Sequence, residues 1–388
     1  MWNKLIDSID NYYDEMVSIR RYLHQYPEVS FKEEKTAKYI ADTYEKLGIP
    51  YQTNVGGNGV VATLTGGKPG KKIAFRADFD ALPIQEENDV PYKSKIAGVM
   101  HACGHDGHTA TLLTFAKAMK QQQEKLPGTI VFVHQHAEEY SPGGAKPLIE
   151  TGILDDVDAV YGTHLWSNTP FGTVQTASNE FMAGADRFTI TIQGKGGHGA
   201  MPHQTKDAIV IASQVVSNLQ QIVSRRIDPL HTAVVTVGTF HAGNTFNIIA
   251  DSATITGTVR TFDKQLQEQI IKEIEQITKG TCISFDATYD YNYEKGYPPV
   301  VNHPNEAAIV LQAADQVDGQ TVEEVVPSMT GEDFSYYLLE KPGAFFFTGA
   351  QKEDHFYPHH HPKFDIDERA MALAAKTFIK IYQSYHSN

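Results

Sequence analysis

Short apolar runs of strand length alternate with helical patterns along most of this chain, and that alternation limits the folds open to it. The runs 59-GVVATLTG-66, 72-KIAFRADFDAL-82, 129-TIVFVHQH-136 and 157-VDAVYGTHLW-166 read as strands. Leu5, Ile6, Ile9, Tyr12, Tyr13, Met16, Ile19 and Leu23 fall at helical spacing. The stretch 32-KEEKTAKYIADTYEKLG-48 repeats the period and stops on Gly48, a C-cap signal. The stretch 106-DGHTATLLTFAKAMKQQ-122 reads as a long helix with Asp106 as its N-cap. Strands alternating with helices predict an α/β layer on a largely parallel sheet.

Near residue 183 the texture changes. In 186-DRFTITIQGKGG-197, Phe188, Ile190 and Ile192 share one face of an alternating strand. A helix follows over about 206–225, then strands at 233-AVVTVGTF-240 and 252-SATITGTVRTF-262, a helix from about Lys264 to Lys279, and a strand at 281-TCISFDATYDY-291. Strand-helix-strand-strand-helix-strand is a compact α+β unit with its own core. From Pro304 the first texture returns and ends on 367-DERAMALAAKTFIKIYQSY-385. The chain of 388 residues also exceeds what one core usually supports. The expected architecture is therefore an α/β domain in two segments, 1–182 and 296–388, with an α+β domain inserted at 183–295.

Composition excludes several classes. A formal charge of −14 disfavours a nucleic-acid partner, which needs clustered Lys and Arg. No 18-residue apolar run is present, so no membrane span is expected. The first residues, MWNKLIDSIDNYYDEM, carry acids where a signal peptide needs a basic start and an apolar core, which makes cytoplasm the expected location. Two distant cysteines, Cys103 and Cys282, argue against a structural disulfide in a reducing compartment. Cys282 falls in a strand pattern and reads as a small buried apolar residue.

The chemistry concentrates in 100-MHACGHDGHTA-110, where Cys103 stands between His101 and His105 beside Gly104, ahead of a helix. Open α/β sheets place ligands at such strand ends. Glu138 and Glu139 follow directly on the run 129–136, and His164 sits near the end of the run 157–166. A further cluster, 355-HFYPHHHPKFD-365, lies near the C-terminus. Cys, His, Glu, His and His from separate loops form a mixed sulfur, nitrogen and oxygen donor set. Five donors exceed one tetrahedral site with an open position and suit two metals with a shared ligand. Of two adjacent glutamates past a strand end, one can hold metal while the other takes the proton of a metal-bound water and returns it to a leaving amine. That implies hydrolysis of an amide or ester by a metal-activated hydroxide. A thiol hydrolase with Cys103 as nucleophile is the competing class, and it leaves Glu138, Glu139 and His164 without a role.

The segments 76-RADFDALPIQE-86, 100-MHACGHDGHTA-110, 138-EEYSPGG-144, 162-GTHLW-166, 196-GGHGAMPH-203 and 329-MTGEDF-334 resemble, in order, the metallo-amidohydrolase branch of the aminoacylase and carboxypeptidase family. Its members include hippurate hydrolase, indole-acetyl-amino-acid hydrolase and N-acetyl-diaminopimelate deacetylase. The resemblance implies a dinuclear-metal catalytic domain with an inserted dimerisation (lid) domain. It implies that Cys103, His105, Glu139, His164 and His360 bind two divalent ions, with Glu138 as general base. A thiolate among the ligands leans toward zinc, the oxygen and imidazole donors also suit manganese, and cobalt or nickel remain open. The implied substrate is an N-acyl amino acid, with a dipeptidase or carboxypeptidase as the alternative, and the implied assembly is a homodimer. His198 and Asn247 resemble substrate or oxyanion contacts, the histidine commonly coming from the partner subunit. Arg260 is a further candidate for an amino-acid carboxylate.

The peptidase branch carries His-x-Asp where this chain has 78-DFD-80, and a bridging Asp where it offers Cys103. That departure fits the amidohydrolase branch. Asp78 and Asp80 read either as turn residues or as supports behind the ligands, and Asp106 either caps its helix or orients His105. His101 and His108 read as supporting or loop residues. Among His359, His360 and His361, the family pattern selects His360, two residues before Pro362.

Overall fold

The computed structural model describes residues 1–353 and 356–386, so His355 lies outside the described residues. Contacts divide the chain into two compact units. The first comprises Met1–Phe181, Val300–Pro327 and Asp333–Asn388, and the second Met182–Pro299 and Ser328–Glu332.

The first unit is built on an eight-stranded sheet. In chain order its strands are Tyr51–Val55, Gly59–Thr65, Lys68–Asp78, Pro127–Gln135, Ala159–Pro170, Thr173–Thr176, Thr321–Glu324 and Gly343–Gln351. Across the sheet they run first, second, fourth, third, fifth, eighth, sixth, seventh. The third strand pairs in parallel with the fourth and fifth, and the fifth with the eighth. The first and second, second and fourth, and sixth and eighth pair antiparallel. The sheet is thus mixed, parallel only in its middle and at its seventh-strand edge, where a largely parallel one was expected. The first two strands follow each other through a tight turn with no helix between them, and only antiparallel pairing allows so short a connection.

Helix His105–Lys120 packs against helices Tyr13–Gln25 and Arg369–Ser384. Fourteen of its 16 residues are buried, so it is an interior helix and not an amphipathic surface one. Phe75 of the sheet meets Phe115 of this helix with ring centroids 5.0 Å apart, and Phe378 at 4.9 Å. Each fully buried phenylalanine contributes roughly 1.5–3 kcal/mol over its exposed state. This packing fixes the first turn of the His105 helix over the carboxyl ends of the central strands.

The second unit has a four-stranded antiparallel sheet in the order Ala233–Ala242, Ser252–Thr261, Gly184–Gln193, Thr288–Tyr297. Phe188, Ile190 and Ile192 turn inward from the alternating strand and meet Ile211, Val215, Ile270 and Ile274 of helices Ala208–Leu219 and Lys264–Ser284. Asp207 and Asp263 cap these helices by accepting main-chain N–H bonds. Cys282 does not lie in a strand: the second helix runs on through Ser284 and the strand starts only at Thr288. Ile270, Ile274, Thr278 and Cys282 hold the four-residue period on the buried face, so packing carries the helix past its expected end. Among the described residues no helix is long and apolar enough to cross a membrane.

Candidate metal centre

Three parallel strands deliver their carboxyl ends to one place. Asp78 ends the third strand in register with Gln135 of the fourth, and His164 rides on the fifth. The loop carrying Cys103 is pinned by paired hydrogen bonds between Leu82 and Met100. It then turns at Gly104, whose φ of 96° favours glycine, straight into the helix at His105. The C-terminal histidine segment is tied to this loop by the His360 N–H donating to the Ala102 carbonyl at 2.8 Å. His360 itself holds a φ of 66°, the kind of backbone strain that packed functional sites retain.

Around Cys103, His164 Nε2 stands 3.4 Å from Sγ and His359 Nδ1 3.8 Å from it. His360 Nε2 is 3.3 Å from Glu139 Oε1, and His105 Nε2 is 3.8 Å from the same oxygen. Glu138 Oε2 lies 4.0 Å from His105 Nε2. Donor atoms of Cys103, Glu139 and His360 fall within 4.8 Å of one another, as do those of His105, Glu138 and Glu139, and those of Cys103, His164 and His359. The first unit thus brings together all six residues expected to hold or use metal, and adds His359.

Tautomers separate ligands from supports. His105 Nδ1 donates to the Asp80 carbonyl and carboxylate at 3.0 and 3.1 Å, which makes Nε2 the nitrogen that gains a lone pair once the ring gives up its second proton. His164 Nδ1 donates to the Leu165 carbonyl at 3.1 Å, which turns the Nε2 lone pair to the sulfur. His108 has no free nitrogen: Nε2 accepts from the Leu165 N–H at 2.8 Å and Nδ1 donates to Asp78 at 2.6 Å. A group of Asp78, His105 and His108 is close enough to hold an ion, but His108 has no lone pair left to give it.

Two buried atoms here lack a well-aligned hydrogen-bond partner, His105 Nε2 and Glu139 Oε1. An unsatisfied buried donor or acceptor costs about 1–3 kcal/mol, and a cation between them would satisfy both. Burial, and then the carboxylates of Glu139 and Glu138, push the Cys103 thiol well above its ordinary pKa. Burial pushes the His105 imidazole down, but Asp78 and Asp80 outweigh it and raise its pKa to about 10. This donor set, rich in carboxylates that already hold a proton on His105, fits a divalent cation in that proton's place.

Asp78 and Asp80 both act behind the donors. Asp80 orients His105 and also accepts from the Ser30 hydroxyl at 2.7 Å and the Glu139 N–H at 3.0 Å, locking two ligand loops together. Asp106 does not touch His105 in the hydrogen-bond pattern; its Oδ1 accepts the Gly107 N–H of the helix's first turn at 2.9 Å. The helix already starts at His105, and the Asp106 carboxylate is taken by Arg20 Nε and His24 Nδ1, each at 2.8 Å. Arg20, fully buried, continues to Asp365 at 2.9 Å. Asp106 therefore fastens the helix start to the neighbouring helix.

Arg76 and Asp333 had no role assigned from sequence. Arg76 bonds Asp78 at 2.5 Å, Asp333 at 2.9 Å and Gln135 at 3.0 Å, all buried. A cation two residues before Asp78 on the same strand face was the available signal. Arg76→Met should lower the unfolding free energy by roughly 3–5 kcal/mol, because it leaves two buried carboxylates without their cation. A urea unfolding midpoint unchanged by that substitution would contradict this.

In the second unit, His198 pairs with Ile248 in a two-stranded ribbon, and the Gly199 N–H donates to the Asn247 carbonyl at 2.9 Å. Both side chains are exposed there. Arg260 does not join them. It lies near the other end of strand Ser252–Thr261, roughly 25 Å along the strand from the ribbon's attachment. Its guanidinium is half-buried and donates to the Val259 carbonyl at 3.1 Å.

An α/β sheet with thiol, imidazole and carboxylate donors at its strand ends defines a metallohydrolase class. Residues 74–384 match the sequence profile of peptidase family M20/M25/M40. An N-acyl-L-amino acid amidohydrolase of Geobacillus stearothermophilus is 48% identical over 300 residues, covering 77% of this chain and 80% of the relative. Thermostable carboxypeptidase 1 of Saccharolobus solfataricus is 40% identical over 377 residues, covering 96% and 95%. The crystal structure of a Bacillus subtilis protein described as a dinuclear metal binding peptidase from the M20 family superposes with a TM-score of 0.83 at 33% identity, covering 98% of this chain and 100% of that one. The chain belongs to peptidase family M20/M25/M40, and it is a hydrolase of amide bonds.

Proposed function

We propose that this chain hydrolyses N-acyl amino acids, using two divalent ions held by Cys103, His105, Glu139, His164 and His360, with Glu138 as general base. The observation that carries this is the allocation of lone pairs: His105 and His164 spend Nδ1 on carbonyl or carboxylate acceptors and aim Nε2 at Cys103 and Glu139. The ions, when bound, polarise the scissile carbonyl and lower the pKa of a water. Glu138, beside the donors and next to Glu139 in sequence, takes that water's proton and passes it to the departing amine. Zinc or manganese suits the donors best, with cobalt and nickel as substitutes.

A cysteine nucleophile needs a lowered thiol pKa. Burial and two carboxylates drive Cys103 the other way, so the thiol reading finds no support in the site's electrostatics. The inserted domain at 183–295, between catalytic segments 1–182 and 296–388, is read as a lid and dimerisation domain of a homodimer. His198 and Asn247 on its exposed ribbon would contact substrate, with the histidine reaching the site of the partner subunit, and Arg260, far along the strand from that ribbon, could serve the carboxylate only if ribbon and arginine come from different subunits. Free thiols at Cys103 and Cys282 suit the cytoplasm.

Release of amine from a panel of N-acyl amino acids and dipeptides, with chelator and metal add-back, tests the reading. Cleavage of acyl amino acids that stops with chelator and returns with metal is expected. Preferred dipeptide cleavage would favour the peptidase alternative, supported by the 40% identity to a carboxypeptidase. Activity that survives chelation would overturn the metal mechanism.

A further inference from the structure

Two imidazoles approach the Cys103 sulfur from different loops, and they present opposite chemistry to it. His164 offers Nε2 at 3.4 Å, and that nitrogen carries the lone pair because Nδ1–H is given to the Leu165 carbonyl. His359 offers Nδ1 at 3.8 Å. Its other nitrogen, Nε2, accepts the Ser167 N–H at 3.1 Å. A main-chain N–H can only donate, so Nε2 bears the lone pair, and in a neutral ring the proton must sit on Nδ1. A ring that accepts an N–H at Nε2 is neutral, because an imidazolium has no lone pair to accept with. It is also held in place, with centroids 4.4 Å from Trp166 and 5.0 Å from Phe364. His360, the next residue, turns instead to Glu139.

We propose that His359 is not a metal ligand but a positioning residue that donates its Nδ1–H to the Cys103 thiolate. This rests on the reading that Cys103 is a thiolate shared by two ions. A thiolate shared by two ions would keep one of its three lone pairs, and a fixed N–H donor occupies it. The bond sets the direction of the sulfur, as partners behind a ligand commonly do, and the donated proton itself draws on the sulfur's electron density. It also explains why adjacent histidines in the run 359–361 do different work: one addresses the sulfur with a proton, the next a carboxylate with a nitrogen.

The test is cobalt substitution in the full chain, with stoichiometry and absorption spectra for the native protein, His359→Leu, His359→Gln and, as a ligand control, His164→Leu. His359→Leu should still bind two cobalt ions at saturation. Its affinity should fall about 10- to 100-fold, as for other partners behind a ligand. Its thiolate-to-cobalt charge-transfer band should move to lower energy, because the sulfur lone pair loses a stabilising proton. His359→Gln, which keeps an N–H donor, should restore the band most of the way and keeps the test open if the leucine variant does not fold. Loss of a cobalt ion in His359→Leu, as in His164→Leu, would overturn the proposal in favour of ligation. An unmoved charge-transfer band would reduce His359 to packing. A native protein that takes up cobalt with no thiolate band would overturn the reading of Cys103 itself, and would do so independently of His359.

Discussion

Glu138→Gln should leave both metal ions bound and lower kcat by about three powers of ten, the usual loss when a positioned base and proton shuttle is removed. The amide is nearly isosteric with the carboxylate, so the fold and the substrate cavity stay. It cannot take a proton from water or return one to an amine. Glu139→Gln should behave differently, because Glu139 Oε1 faces both His105 Nε2 and His360 Nε2, at 3.8 and 3.3 Å. That variant should lose metal first and activity as a consequence. Metal content by atomic absorption beside steady-state rates separates the two glutamates. A Glu138→Gln protein with near-native kcat would remove the base assignment, and a Glu138→Gln protein stripped of metal would make Glu138 a ligand.

Metal affinity should depend steeply on pH. In the metal-free chain, burial and the Glu139 and Glu138 carboxylates raise the Cys103 thiol, and Asp78 and Asp80 hold His105 at about 10 against the effect of burial. Both groups therefore carry a proton at neutral pH, and both must lose it to bind a cation. Because the free state holds the protons, affinity rises with pH and keeps rising until the solution passes those raised values. Two protons released per loaded site correspond to ~100-fold weaker binding for each unit that the pH falls. Calorimetry of metal binding in buffers of different ionisation enthalpy counts the protons directly. Release of clearly fewer than two protons would mean that the thiol or the imidazole is already free of its proton, and the electrostatic account of the cluster would fail.

The helix-strand alternation, the change of texture near residue 183, Glu138 and Glu139 just past an apolar run, His164 near the end of another, and Cys103 and His105 ahead of a helix were all legible in the sequence. Each rests on spacing over a few residues, and local period translates into which face or end of an element a residue occupies. The clustering of those residues was legible for the same reason, since parallel central strands bring their carboxyl ends to one edge of the sheet.

What escaped the sequence depended on partners far along the chain. Cys282 belongs to a helix because Ile270 and Ile274 share its packed face, and Asp106, besides the Gly107 N–H of its own helix, holds Arg20, 86 residues earlier. Arg76 and Asp333 form a buried pair across 257 positions. The separate duties of His359 and His360 follow from which imidazole nitrogen meets a main-chain N–H, a carbonyl, a sulfur or a carboxylate. The sequence by itself determined the residue types, their order and the elements that carry them. Only the tertiary structure decided where each proton and lone pair points, because a hydrogen bond is a relation between two groups and its second partner lies outside the span that periodicity can read.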